Sequence, residues 1–133
     1  MNRKQERKEA LFLIFESDFH KELSAGELLA SAAELRGLAV TEYIRKTVTG
    51  VLSDKEELDG IISKYLKNWK LSRISSVALA ILRMAVFEMK EGEIPENVAV
   101  NEAVELAKEF ETEDMPAFIN GVLGSYSRDK AEK

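Results

Sequence analysis

No cysteine occurs in the 133 residues, which removes disulfides, thiolate metal sites and cysteine nucleophiles and fits a reducing cytosol. Two prolines and seven glycines leave few breakpoints, and strand-like alternation of β-branched residues is nearly missing. The pattern therefore calls for an all-α fold. The one histidine, His20, has no serine or cysteine motif beside it and reads as a surface group. Neither a P-loop nor a GxGxxG is present, and the acids of Asp54 to Asp59 and Glu102 to Glu113 read as solvated helix faces. The chain is thus expected to be no enzyme, with no cofactor, no metal and no catalytic residue. No apolar run reaches the roughly 18 residues of a membrane span. Glu6 and Glu9 interrupt the basic start before the apolar residues begin, which speaks against a leader. A cytoplasmic protein without a membrane partner is expected.

Positive charge is also scarce, since 19 bases face 24 acids for a net charge of −5. A general basic coat for nucleic acid is excluded, so any polyanion site must be local. One local excess exists. Arg3, Lys4, Arg7 and Lys8 stand against Glu6 and Glu9 within the first ten residues.

With 45% hydrophobic residues the chain suffices for one domain over residues 1–133 that buries its core without staples. A first helix is expected from Arg3 to Leu23, with Leu11, Ile14, Phe15, Phe19 and Leu23 inward, and a second from Glu27 to Arg36, ended by Gly37. Thr41 is a candidate N-cap for a third, which could run to Trp69 or break near Ser53, where Ser53 and Glu56 suit a capping box. The run from Ile74 to Met89 is apolar on nearly every side, with Arg83 and Glu88 its only charges, and belongs in the middle of the fold.

After Gly92 and Ile94-Pro95 comes NEAVELAKEFETEDMPAFINGVL, Asn101 to Leu123. Ala99, Ala103, Leu106, Ala107 and Phe110 share one helical face, and Met115, Phe118, Ile119, Val122, Leu123 and Tyr126 resume the period after an acidic break. Asn120-Gly121 has poor helix propensity, a cost that asks for close approach of another backbone or of a ligand. This stretch resembles the C-terminal pattern of the NusB family of bacterial antitermination factors, INEAIELAKxFGxEDSxKFVNGVLD. Trp69-Lys70-Leu71, Ala80-Ile81-Leu82-Arg83, Phe87-Glu88 and Ile94-Pro95 extend the resemblance over nearly the whole chain. It implies a single domain of about six or seven helices in two packed helical sub-bundles. It further implies binding of single-stranded boxA RNA from ribosomal RNA leaders jointly with NusE, a small-subunit ribosomal protein, within an antitermination complex on RNA polymerase.

On a helical wheel Arg3, Lys4, Arg7 and Lys8 span an arc of about 140° that continues the line of Leu11, Ile14 and Phe15. Bases cannot pack into a core, so the helix is expected to overhang the body there and present them beside Phe15. Phosphates need cations and unstacked bases need rings. Composition alone also admits a solvated N-terminus. The family has an arginine-rich segment for boxA at the position of Arg3, Lys4 and Arg7, a tyrosine or phenylalanine at Phe15, and a phenylalanine near the same surface at Phe118. By resemblance, Glu113 and Asp114 are the family's ED, in which the acid caps the last helix and borders the RNA surface. In place of the family's VDRAILR this chain has Val77-Ala78-Leu79-Ala80-Ile81-Leu82-Arg83. The lost charges leave an apolar patch at Val77 and Ala78, to be covered internally, used by NusE, or used for homodimerisation. Two rival functions are a protein-only helical adaptor acting through that patch and a stand-alone relative of the NusB-like module of RNA methyltransferases.

Overall fold

A computed structural model describes residues 1 to 132. Among them are seven α-helices, one 3-10 turn and no strand. They form two compact units, Met1–Asp54 and the remainder from Lys55.

The first unit holds α1 (Arg3–Ser17), α2 (Ala25–Arg36) and α3 (Glu42–Ser53). Each start is marked by a side chain that satisfies a backbone donor the helix leaves open. The Asn2 side chain accepts from the Gln5 amide and Ser24 from that of Glu27, both in reciprocal capping boxes, while Thr41 accepts from Ile44. Gly37 ends α2 at φ 67°, a left-handed conformation that glycine adopts without steric cost. Ala10, Leu11, Leu13, Ile14, Leu28, Ile44 and Val48 are buried.

Helix α1 is shorter than its apolar period suggests. Ser17 Oγ donates to the Ile14 carbonyl at 2.5 Å, and the amides of Asp18 and Phe19 bond back to Phe15 and Glu16 as the chain turns away. Phe19 therefore stands 61% exposed instead of inward, and Leu23 lies beyond the helix.

The second unit contains α4 (Lys55–Lys64), the 3-10 turn Leu71–Arg73, α5 (Ser76–Glu91), α6 (Glu96–Phe110) and α7 (Met115–Ala131). The expected break near Ser53 is real, with Asp54 between α3 and α4. Helix α5 is the centre of this unit, with every residue from Ala78 to Met89 buried, as a helix without a polar face requires. Its buried Arg83 is held by Asp59 of α4 through two charge-assisted bonds, Nε to Oδ1 at 2.7 Å and NH2 to Oδ2 at 2.9 Å. Gly92 closes α5 at φ 72°. Ala99, Ala103, Leu106 and Ala107 of α6 and Ile119, Val122, Leu123 and Tyr126 of α7 complete the core, the faces read from periodicity. No helix among the described residues is long and apolar enough to cross a membrane.

Candidate nucleic-acid interface

The bases of α1 do not fan out together. Arg3 and Arg7 both lie over the ring of Tyr43 in α3, at 4.3 and 5.7 Å from its centroid, a cation–π arrangement. Arg3 Nε also donates to Glu6 Oε1 at 3.2 Å, and Glu6 Oε2 accepts from the Thr41 hydroxyl at 2.5 Å. That hydroxyl, aided by Arg3, holds the Glu6 carboxyl below its ordinary pKa, so it stays charged at neutral pH. The first turns of α1 are thereby docked on the start of α3, and the expected overhang is absent.

Two corrections follow. Arg7 is only 5% exposed, so its guanidinium is structural and cannot present itself to a phosphate in this conformation. Arg3 keeps about half of its side-chain surface, and Lys4 is exposed. Lys8 is half-buried and faces the other way, into a cleft with Phe12 and Arg36. Phe15 is half-buried, with the Phe19 ring edge-on to it at 5.0 Å. Phe12 and Phe19 are thus exposed aromatics that a reading of Phe15 alone misses.

In the second unit Phe118, on the first turns of α7, is half-buried, and the Trp69 ring meets it at 6.0 Å in an edge arrangement. The expected run of helix to Trp69 fails because α4 ends at Lys64. Lys67 adopts φ 57°, a left-handed conformation uncommon outside glycine, and turns the chain just after buried Leu66. Lys67, Asn68, Trp69 and Lys70 then all face solvent, with Trp69 54% exposed. The segment carries Lys64, Lys67, Lys70 and Arg73, all exposed, and no acid occurs between Asp59 and Glu88. That charge gap was readable in the sequence, though it is hidden by the negative total.

Asp114 occupies the N-cap position of α7 with helical φ −85° and ψ −17°, and no side chain caps this helix among the described residues. Its carboxylate instead accepts from the Thr112 hydroxyl at 2.6 Å, which holds its pKa below the ordinary range. The expected capping role is therefore corrected. Pro116 eases the uncapped start, because it has no backbone donor to satisfy. Ser75, the N-cap of α5, donates to Glu111 and ties this break to the start of the central helix. Asn120 and Gly121 are exposed, and a Cβ on Gly121 would meet nothing among the described residues, so close approach of another backbone within the chain is not the reason for the glycine.

The apolar patch before AILR is mostly internal. Ala78 is 0% exposed and Leu79 is buried, leaving Val77 half-buried, so Ala78 cannot serve as a docking side chain. Among the described residues no group of three or more His, Cys, Asp or Glu could hold a metal ion.

Taken together, these features define an all-α protein that offers cations and open rings on each of two helical units. The NusB family model matches residues 4–128, and the chain belongs to that family. The transcription antitermination protein NusB of Acetivibrio thermocellus is 45% identical over 133 residues, covering 98% of this chain and 91% of that protein. The NusB of a Thermoanaerobacter species is 52% identical over 89 residues, 67% of this chain, and the match spans just under two-thirds of that relative, 64%. Among solved structures, NusB of T. maritima superposes with a TM-score of 0.83 at 28% identity, covering 100% of this chain and 99% of that one. A crystal structure of the antitermination factors NusB and NusE in complex with dsRNA matches with a TM-score of 0.78 at 27% identity, covering 97% and 99%. These relatives are named for antitermination and not for a reaction.

Proposed function

We propose that this chain is an RNA-binding antitermination factor that acts in the cytoplasm. It binds boxA-type RNA together with NusE and so helps RNA polymerase resist termination in ribosomal RNA operons. The whole chain is one RNA-binding module. The observation that carries this reading is the match over nearly its full length to a NusB that was crystallised with NusE and dsRNA.

We assign the phosphate contacts to Arg3, Lys4 and Lys8 in the first unit, beside Phe15, and to Lys67, Lys70 and Arg73 in the second, beside Trp69 and Phe118. Arg7 holds Tyr43 and α1 in place. Asp114 borders the RNA surface as a fixed negative charge. For the NusE contact Val77 keeps accessible surface and Ala78 has none, which weakens the adaptor reading and homodimerisation through that patch.

Fluorescence anisotropy of labelled boxA RNA, single-stranded and as a duplex, tests this with the chain alone, with NusE, and with Arg3, Lys4 and Lys8 changed to Gln. Binding that tightens with NusE and weakens in the variant is expected. No binding of either RNA form, with or without NusE, overturns the function.

A further inference from the structure

Between Lys64 and Arg73 three features lie together that each cost the free protein stability. Lys67 adopts φ 57°, where glycine would fit without steric cost, so a lysine there is strained. Trp69 leaves about half of its surface in water, although burying an indole is favourable. Lys64, Lys67, Lys70 and Arg73 gather four like charges in a stretch where no acid occurs from Gly60 to Phe87. None of these four side chains makes a hydrogen bond or ion pair among the described residues. The segment is nevertheless fixed at both ends. The Tyr65 hydroxyl donates to Asp129 at 2.8 Å, the Trp69 amide donates to the carbonyl of buried Leu66 at 3.0 Å, and Ser75 donates to Glu111 just beyond the 3-10 turn. Strain and unpaired charge kept on a well-anchored turn point to a use at that turn.

The side chains say what the use is. A lysine ammonium is a point charge that meets a phosphate without reading a sequence, and the open part of an indole accepts any unpaired base. Asn68 is the one amide between Lys64 and Arg73 that could read a base edge. We propose that this segment is a sequence-tolerant grip on single-stranded RNA, which holds an unpaired stretch whether or not it belongs to boxA. Lys67 is its positioning residue, because the left-handed turn sets Lys67 to Lys70 outward while the Lys67 ammonium itself meets a phosphate. The proposal rests on the RNA reading above and deepens it, since recognition of boxA must then come from elsewhere on the chain or from NusE.

Anisotropy titrations of the full chain over a range of salt test this with two probes, boxA RNA and an oligouridylate of equal length. Changing Lys67, Lys70 and Arg73 to Gln should lower the slope of log affinity against log salt by about 2 on both RNAs, because the same phosphate contacts are lost. Asn68→Ala should leave the ratio of the two affinities unchanged. Lys67→Gly should lower the slope by about 0.7 and raise the urea midpoint, whereas Lys67→Arg should keep both near native. A residue that only shapes the turn would move the midpoint and not the slope. Slope lost on boxA but kept on oligouridylate overturns the sequence tolerance and spares the RNA reading. A slope unchanged on both RNAs removes the segment from the RNA surface. Equal losses on both, in a chain that with NusE binds boxA no better than oligouridylate, support the grip and sink the boxA reading. No binding of either RNA overturns both.

Discussion

Neutralising Lys67, Lys70 and Arg73 to Gln should change how RNA affinity depends on salt by a calculable amount. Each phosphate neutralised on a single strand contributes about −0.7 to the slope of log affinity against log salt, through release of a condensed counterion. With Arg7 buried, the first helix supplies Arg3, Lys4 and Lys8, and the loop after α4 supplies three more exposed cations. The slope should be about −4 for the native chain and about −2 for the loop variant. Raising salt from roughly 50 to roughly 200 mM should then weaken native binding by about 300-fold and variant binding by only about 20-fold. Anisotropy titrations at several salt concentrations read both slopes. A control that neutralises the exposed Lys21, Arg45 and Lys46 removes the same charge elsewhere and should leave the slope near its native value, because slope counts contacts and not net charge. Trp69→Ala provides an orthogonal check, since losing a stacking platform worth about 1–3 kcal/mol should lower affinity about five- to 150-fold without altering the slope. An unchanged slope in the loop variant would remove this segment from the interface. A slope near −2 in the native chain that falls to about zero when only Arg3, Lys4 and Lys8 are neutralised would refute the assignment of two contact regions.

Other consequences concern stability and pH. Asp59→Ala removes both of these charge-assisted bonds from the buried Arg83 guanidinium and should cost about 3 kcal/mol by urea unfolding, whereas Asp59→Leu with Arg83→Met should recover at least half of that loss. Equal losses in the two proteins would mean that the pair is not what Asp59 contributes. Glu96 accepts from Lys130 and from Ser127 at the start of α6, and these bonds, the first of them foremost, hold its pKa below the ordinary 4.5. A depressed carboxylate stabilises the fold above its unfolded pKa and loses that stabilisation as pH falls through its folded value. The gap of about 1 kcal/mol expected between native and Glu96→Gln proteins at pH near 7 should therefore shrink as pH falls from the ordinary 4.5 through the lower folded value, and a gap that stays constant over that fall contradicts the linkage. Asp114→Asn keeps an acceptor for the Thr112 hydroxyl but removes a charge, and should tighten RNA binding about twofold with little change in melting temperature; identical affinities would leave Asp114 outside the RNA surface.

What could be read from the sequence was whatever depends on near neighbours along the chain. The all-round apolar run became a helix buried from Ala78 to Met89 because it has no polar stripe to turn outward, and no knowledge of its partners was needed. The faces of α6 and α7 followed from the same 3.6-residue period. Errors arose where another residue, distant as at Arg7 or close by as at Asp114, competes for a side chain, and where a helix stops short of its apolar period. A helical wheel places Arg7 with the other bases, but it contains no Tyr43, and the ring that draws Arg3 and Arg7 inward belongs to another helix. Asp114 has the composition of a cap, yet Thr112, two residues earlier, takes its carboxylate first, and a helical φ and ψ at position 114 leave the side chain no reason to reach the α7 amides. Trp69 fits the register of a longer α4, but register says nothing about where a helix stops, and the left-handed turn at Lys67 puts the ring outside. The misplaced residues are thus the candidate RNA contacts themselves. A cation or a ring left at the surface gains little from its own helix, so its position is decided by tertiary partners such as Tyr43 and Phe118, which periodicity does not encode.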